Sequence, residues 1–361
     1  LELKDSPSKP KLAVVILNYN GLEHLRTFLH SVIECLPSYA KLIIADNAST
    51  DDSIPYIKEH FPDIRLILLN ENTGYAGGYN AALSQIDAEY YFLLNSDVEL
   101  TPGSIDPLVQ FLDKNKSYAA CQPKVLALRE KDSFEYAGAA GGWIDRFGYP
   151  FCRGRILDTI EKDKGQYDQY EPIFWASGAA LMIRAKDFHE CGRLDEDFFA
   201  HMEEIDLCWR IQRMNKKISI VPDSIIYHLG GGTLEYAHPT KTYLNFRNSL
   251  YVLLKNENKS LFVPIIFIRL LLDGIAGIRF LLLRDWGNFM AIPRAHFHFY
   301  KNIPRMWKKR KAFEKLLNKN NIQKNRNLYG RYKRSIVWDY YILNRKKFNT
   351  LDVNKRKQNQ I

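Results

Sequence analysis

Tyr90–Glu99 reads YYFLLNSDVE, and the fold turns on this stretch. Tyr90 to Leu94 are apolar or aromatic without alternation, which suits a central strand covered on both faces, as in α/β sheets. The run stops at Asn95-Ser96-Asp97, and Thr101-Pro102-Gly103 follows as a turn and helix-entry signal. A carboxylate just past the C-terminal end of a buried strand lies where open α/β sheets bind ligands. Asn95-Ser96-Asp97 reads either as a divalent-metal and nucleotide site or as an Asx-type turn capping the next helix. On three residues alone the turn is the simpler reading, so the flanking chain has to decide.

Upstream, Leu12–Leu17 (LAVVIL) is another continuous apolar run and ends in Asn18-Tyr19-Asn20-Gly21. Leu22, Leu25, Phe28, Leu29, Val32 and Ile33 then recur at helical spacing. Lys41–Ala45 predicts a second strand ending in Asp46-Asn47, with candidate N-caps for a helix over Ile54–His60. Ile64–Leu69 predicts a third, followed by the Gly-rich loop Asn70–Asn80 (NENTGYAGGYN) and a helix ending near Ile86. Strands alternating with helices imply right-handed crossovers, a mostly parallel sheet and a polar crevice along one edge. There Asp46 can accept a hydrogen bond from a pyrimidine ring, while Gly74, Gly77 and Gly78 permit backbone approach to a diphosphate at a helix N-terminus. The spacing is neither a Walker loop nor the dinucleotide GxGxxG.

The chain has 361 residues, 46% of them apolar and 25% charged, an ordinary globular balance with room for one or two domains. Cys35, Cys121, Cys152, Cys191 and Cys208 are scattered, which argues against a zinc or disulfide scaffold and fits a reducing, cytoplasmic compartment. Leu1–Lys11 shows no apolar signal-peptide region. The net charge of +10 is uneven: residues 293–361 hold 20 Lys and Arg against 3 Asp and Glu, and residues 1–292 hold 31 against 38. Such a distribution speaks to partners rather than to fold.

Downstream, Ile105–Leu112 predicts a helix and Ala119–Leu128 a strand, while the glycines of Lys131–Glu171 predict a loop-rich insertion with short hairpins, a candidate lid. Ile173–Ile183 reads as a bulged core strand or as a sugar-facing loop, because Ser177-Gly178-Ala179-Ala180 lets something approach the backbone. From Glu203 a helix starts with Glu203, Glu204 and Asp206 in its first turn, where carboxylates suit the macrodipole and two adjacent acids suit a general base. His228 ends a strand ahead of Gly230-Gly231-Gly232, and histidine is a common metal ligand.

Seven segments in order, VVILNYNG (14–21), IIADNASTDDS (43–53), NENTGYAGGYNAAL (70–83), YYFLLNSDVEL (90–100), ASGAALMIRA (176–185), FFAHMEEIDLCWR (198–210) and HLGGGT (228–233), resemble the family 2 glycosyltransferases of GT-A fold, bacterial rhamnosyltransferases in particular. The resemblance implies an α/β fold with a Rossmann-like, mostly parallel central sheet flanked by helices. It implies a catalytic domain over residues 1–240, beyond which the pattern of 241–361 is read as a helical, basic, membrane-associating C-terminal region. It further implies a nucleotide-sugar site drawn from Asn18, Asn20, Asp46, Asn47, Gly74, Gly77, Gly78, Asn80, Asn95, Ser96 and Gly178. Asp97 and His228 are the implied ligands of Mg²⁺ or Mn²⁺, Glu204 the base and Glu203 its neighbour. Asn95 stands where the family's DXD motif has its first Asp, so it is expected to bond the ribose instead of the metal. The implied activity is inverting transfer from a UDP- or dTDP-sugar, dTDP-rhamnose among them, to a lipid-linked or polysaccharide acceptor. A nucleotidyltransferase or a non-catalytic nucleotide-sugar-binding protein is the alternative.

In the tail, Tyr243–Leu254 is helical in pattern, and Leu261–Ile292 is very apolar but broken by Arg269, Asp273, Arg279, Arg284 and Asp285. Its longest uncharged run, Ser260–Ile268, is far short of the ~18–20 residues a membrane span requires. With the basic segment behind it, the pattern predicts an in-plane interfacial helix and a polybasic anchor on an anionic membrane, at the inner face of the cell membrane. A helical subdomain packed on the core is the plainer reading. Nucleic acid ranks below a membrane as the basic partner, since no nucleic-acid-reading motif accompanies the clusters.

Overall fold

The computed structural model describes residues 9–230, 238–322 and 328–353. The first half runs β1 (Leu12–Asn18), α1 (Leu22–Glu34), β2 (Ala40–Asp46), α2 (Ser53–His60), β3 (Arg65–Leu68), α3 (Gly74–Leu83), β4 (Tyr90–Leu94), β5 (Val98–Leu100), α4 (Ile105–Lys114) and β6 (Tyr118–Ala127). Short strands follow: β7 (Glu130–Phe134), β8 (Gly142–Ile144), β9 (Pro150–Cys152), β10 (Arg155–Ile156), β11 (Thr159–Ile160) and β12 (Glu171–Pro172). Then come β13 (Ala180–Arg184), α5 (Ala185–Glu190), α6 (Glu203–Arg213) and β14 (Lys217–His228). The C-terminal part is helical: α7 (Pro239–Asn256), α8 (Phe262–Leu282), α9 (Trp286–Lys319) and α10 (Ile336–Tyr341).

The main sheet has the order β12-β14-β6-β13-β4-β1-β2-β3. β3, β2, β1 and β4 are mutually parallel, as the alternation of strands and helices predicts, and β14 runs parallel to β6. β13 enters antiparallel between β4 and β6, so the sheet is mixed. It arrives from the insertion and not through a βαβ crossover, and the crossover rule therefore does not fix its direction. The unbroken apolar runs are explained by two cores. Ala13, Val15, Tyr91 and Leu93 face one hydrophobic cluster, and Val14, Ile16, Phe92 and Leu94 face another. With each fully buried side chain worth about 1.5–3 kcal/mol, neither face of β1 or β4 can be polar.

The insertion differs from the expected lid. β8–β11 form a second sheet around Trp143, Phe151 and Ile156, all buried. The end of the chain closes it: Tyr332 donates its backbone N–H to the Ile144 carbonyl (2.8 Å), Ile336 to the Asp145 carboxylate (2.9 Å) and Phe348 to the Glu161 carboxylate (3.0 Å). The Phe348 ring sits 5.1 Å from Trp143. The segment is packed in place by aromatics supplied far along the chain.

The tail also departs from expectation. The single interfacial helix is two helices, because Arg284 takes a left-handed φ of 58° and turns the chain between α8 and α9. Arg269 and Asp273 of α8 face inward, while Arg279 is exposed. Arg269 donates to Asp273 (2.7 Å) and to the Phe147 carbonyl (3.2 Å), and Tyr149 (3.1 Å) and His296 (3.2 Å) complete the shell around Asp273. Val263, Phe267, Leu271, Ile275, Ile278 and Leu282 are left exposed along the outer face. Part of the basic excess is used internally, by Arg305 and Lys309 on Asp197, Lys309 on Asp195 and Arg331 on Glu257. No helix among the described residues is long and apolar enough to cross a membrane.

Candidate active site

The parallel register brings the ends of β1, β2 and β4 to one rim. Asn18 pairs with Asp46 along the β1–β2 ladder, and Asn95 follows the last residue of β4. The Asn18 amide donates to Asp46 Oδ1 (3.0 Å) and Ser49 Oγ (3.1 Å), and Ser49 N donates to Asp46 Oδ2 (2.9 Å). Asn20 Oδ1 accepts from Thr50 N (2.7 Å). A loop tied in this way holds the buried Asp46 carboxylate at the rim while leaving each oxygen a second lone pair. Ser96 Oγ would lie 3.6 Å from a β-carbon at Gly21, so the two strand ends meet across the crevice. The Asn95 and Ser96 side chains are half-buried and make no hydrogen bond among the described residues.

Asp97 and His228 meet because β5 pairs antiparallel with β14, setting His228 opposite Val98. Both side chains are buried, and His228 Nε2 lies 3.1 Å from Asp97 Oδ1. Behind the ring, Nδ1 is 3.4 Å from the buried Glu135 carboxylate. Burial opposes charge on the imidazole, but the two carboxylates outweigh it and push His228 up to about 10. Burial likewise opposes charge on Asp97, and His228 nevertheless holds that carboxyl below the ordinary range. Among the described residues no three His, Cys, Asp or Glu side chains are grouped to hold a metal by themselves. A carboxylate and an imidazole with a carboxylate behind the ring do fit a divalent cation that takes its other ligands from phosphate or water.

The second group of acids reaches the same rim from α6. Ala179 O accepts from Asn95 N (2.9 Å), and Gly178 next to it would place a β-carbon 3.9 Å from Glu204 Cβ. Tyr75 donates to Gly178 O (2.6 Å) and adds its charge-sensitive hydroxyl beside both glutamates. Of the two readings of Ile173–Ile183, the loop applies to 177–179 and the strand to Ala180–Arg184. One carboxylate oxygen each of Glu203 and Glu204 is buried without a hydrogen-bond partner. Burial pushes Glu204 up to about 7, against the pull of backbone N–H groups at the helix start. Burial and then the charge of Glu204 push Glu203 well above the carboxylate range.

Four of the residues expected at the nucleotide have partners or close neighbours within the protein. Asn47 donates to Asn72 Oδ1 (2.9 Å) and Gly74 O (3.1 Å) and accepts from Thr73 N (3.2 Å), which leaves its amide committed to the start of α3. Gly77 and Gly78 lie inside α3, where a β-carbon at Gly77 would press on the Thr73 N-cap and one at Gly78 on Leu17 of β1. Asn80 donates to Leu194 O (2.9 Å) and Glu196 (3.0 Å), away from the rim. Gly74 does require its freedom: its φ is 73°, and a β-carbon would strike the Phe199 carbonyl and ring. Gly74→Ala should therefore cost about 1–3 kcal/mol in strain alone and loosen the contact between α3 and the Phe199 turn, read as a lower Tm. Glu135 and Tyr75 escape the sequence reading; the first lies in the insertion, and the second reads as one more aromatic in a Gly-rich loop. Gly231, Gly232 and Thr233 of the 228–233 motif lie outside the described residues.

The sheet order is that of a GT-A fold, with the two acid groups at one rim of polar strand ends. A family model described as glycosyl transferase family 2 matches residues 13–190, and over this segment the chain is similar to that family. It is similar to the N-acetylglucosaminyl-diphospho-decaprenol L-rhamnosyltransferase of Mycobacterium tuberculosis, at 28% identity over 60% of this chain and 75% of that protein. It is also similar to the low-salt glycan biosynthesis hexosyltransferase Agl10 of Haloferax volcanii, at 26% identity over 66% of this chain and 73% of that one. In fold it resembles GalNAc-T7, solved with UDP, GalNAc and Mn²⁺, with a TM-score of 0.57 at 15% identity over 94% of this chain and 57% of that chain.

Proposed function

We propose that this glycosyltransferase moves a sugar from a UDP- or dTDP-linked donor to a lipid-linked or polysaccharide acceptor, with inversion and with the help of a divalent cation. The observation that carries the reading is the convergence of Asp97–His228 and Glu203–Glu204 on one rim, linked through the Asn95–Ala179 hydrogen bond. Asp46 is suited to accept from the base, Asn18, Asn20 and Ser96 to line the ribose side, and Asn95 to bond the ribose. Gly178 leaves room beside Glu204 for the acceptor. The Glu204 carboxylate takes the acceptor hydroxyl proton as that oxygen bonds to the anomeric carbon and the bond from that carbon to the diphosphate oxygen breaks. Asp97 and His228 would hold Mg²⁺ or Mn²⁺, which supplies Lewis-acid neutralisation of the leaving diphosphate. Glu203, whose carboxyl is pushed well above the carboxylate range by burial and by the Glu204 charge, stands beside Glu204 as its neighbour.

Residues 1–240 carry this chemistry in the proposal, and residues 241–361 seat the enzyme on an anionic membrane surface at the inner face of the cell membrane. The exposed apolar face of α8 supports that seating, as does the rhamnosyltransferase relative, whose name specifies a diphospho-decaprenol acceptor. The test is transfer from a panel of nucleotide sugars with and without Mn²⁺, with the product's anomeric configuration read by NMR. Inverted product that depends on the cation is expected. Asp97→Ala should weaken Mn²⁺ binding, read by electron paramagnetic resonance, by about 10²-fold. Retained configuration, or full activity in chelator, would overturn the proposal.

A further inference from the structure

The turn that delivers α6 is built from left-handed residues other than glycine. Phe199, His201 and Met202 have φ of 65°, 67° and 74°. Side-chain-bearing residues hold such angles only where the surroundings over-determine them, and these three stand immediately before Glu203. The constraint comes from α7. The buried Asn248 amide shares its hydrogens among the carbonyls of Phe198 (3.0 Å), Ala200 (2.9 Å) and His201 (2.7 Å). Arg247 donates to the carbonyls of Asp197 (3.1 Å) and Phe198 (3.0 Å), and also to Asn248 Oδ1 (2.9 Å), which fixes the way the amide faces. Five hydrogen bonds of this clamp are thus aimed at backbone oxygens of one short turn.

Among the described residues, the only hydrogen-bond support the structure gives Glu204 comes from backbone N–H groups around the start of α6, which itself follows the turn. One oxygen each of the Glu203 and Glu204 carboxylates is buried with no hydrogen-bond partner, so their aim is set by the backbone that leads into α6. We propose that Arg247 and Asn248 are positioning residues for sugar transfer, holding the Phe199–Met202 turn so that Glu203 and Glu204 point into the crevice. The inference rests on the reading of Glu204 as the base. It gives α7, outside residues 13–190 of the family match, a part in the chemistry.

The test uses the full chain and the variants Asn248→Ala and Arg247→Gln, with Glu204→Gln beside them. Asn248→Ala should lower kcat by about 10²-fold, since a displacement near 1 Å costs that much. Donor KM should stay within about threefold, the signature of an interaction that matters only in the transition state. Amide hydrogen exchange over 198–204 should rise while β4 stays protected. Arg247→Gln removes two of the five turn contacts, should lower kcat by about tenfold, and serves if Asn248→Ala does not fold. Unchanged kcat per folded molecule, or equal losses in kcat and in donor affinity, would overturn the positioning role. If Glu204→Gln alone abolishes transfer while both clamp variants turn over normally, the clamp is refuted and the base assignment stands. If the clamp variants lose kcat and Glu204→Gln does not, the turn positions some other group and the proposal fails with the base assignment.

Discussion

Glu204→Gln is expected to cut turnover by about 10²–10⁴-fold while leaving donor binding within a few-fold. The amide keeps the shape of the carboxylate but cannot take the acceptor's proton, whereas the groups proposed to hold the donor, Asp46 and Asp97–His228, are untouched. Because burial lifts Glu204 from 4.5 to about 7, kcat of the native enzyme should rise with pH through that value, and the limb should vanish in the variant. Stability runs the other way. Glu204 binds its proton more tightly in the folded chain, so between about 4.5 and about 7 the folded state holds more protons than the unfolded one. Stability is then greatest below the lower value and is lost as pH rises through the upper. Gln stays neutral throughout, so the variant should melt higher than the native protein at pH 8 and level with it near pH 4. Near-normal turnover, or an acid limb that persists in the variant, would remove Glu204 from the role.

The strand ends were legible because a buried strand must be apolar on both faces and therefore ends abruptly at a polar rim. Leu12–Asn18 and Tyr90–Leu94 follow that rule, and the stretch after each one faces the crevice. The direction in which a polar side chain points at the rim was not legible. Asn18 ends β1 and Asn47 follows β2, yet Asn18 stays at the rim while Asn47 turns under α3, because Asn72, Thr73 and Gly74 offer it a complete set of partners. Asn80 likewise answers to Leu194 and Glu196, more than a hundred residues away. Glycine misleads for a related reason: Gly78 signals close approach, and what approaches is Leu17 of β1. The clamp has no local signature at all, since Arg247 and Asn248 look like interruptions of an apolar helix until the Phe199 turn is placed against them.

The α8 outer face is the other site where a large effect is expected. In a helix whose Arg269–Asp273 pair is turned inward, the apolar side needs a cover, and packing among the described residues does not supply one. On α9, Trp286, Met290 and Phe297 are exposed on one face, which then turns basic, with Lys301, Lys308, Lys311, Lys315 and Lys319 exposed at three-, four- and seven-residue spacing. An apolar face that passes into a row of cations matches a leaflet of acyl chains under anionic headgroups, and matches nucleic acid poorly. Replacing Phe267, Leu271, Ile275 and Ile278 by Ser should weaken binding to phosphatidylglycerol-containing vesicles by about 10³-fold, taking about 1 kcal/mol per partly inserted side chain. Tm should not fall, because these residues are exposed in the folded protein. Changing the five lysines to Gln should remove up to about 1 kcal/mol each and abolish the salt dependence of flotation. Transfer to a water-soluble acceptor analogue should survive both sets of changes, which separates seating from chemistry. Flotation of the Ser variant equal to that of the native protein would mean that α8 is covered by something other than lipid.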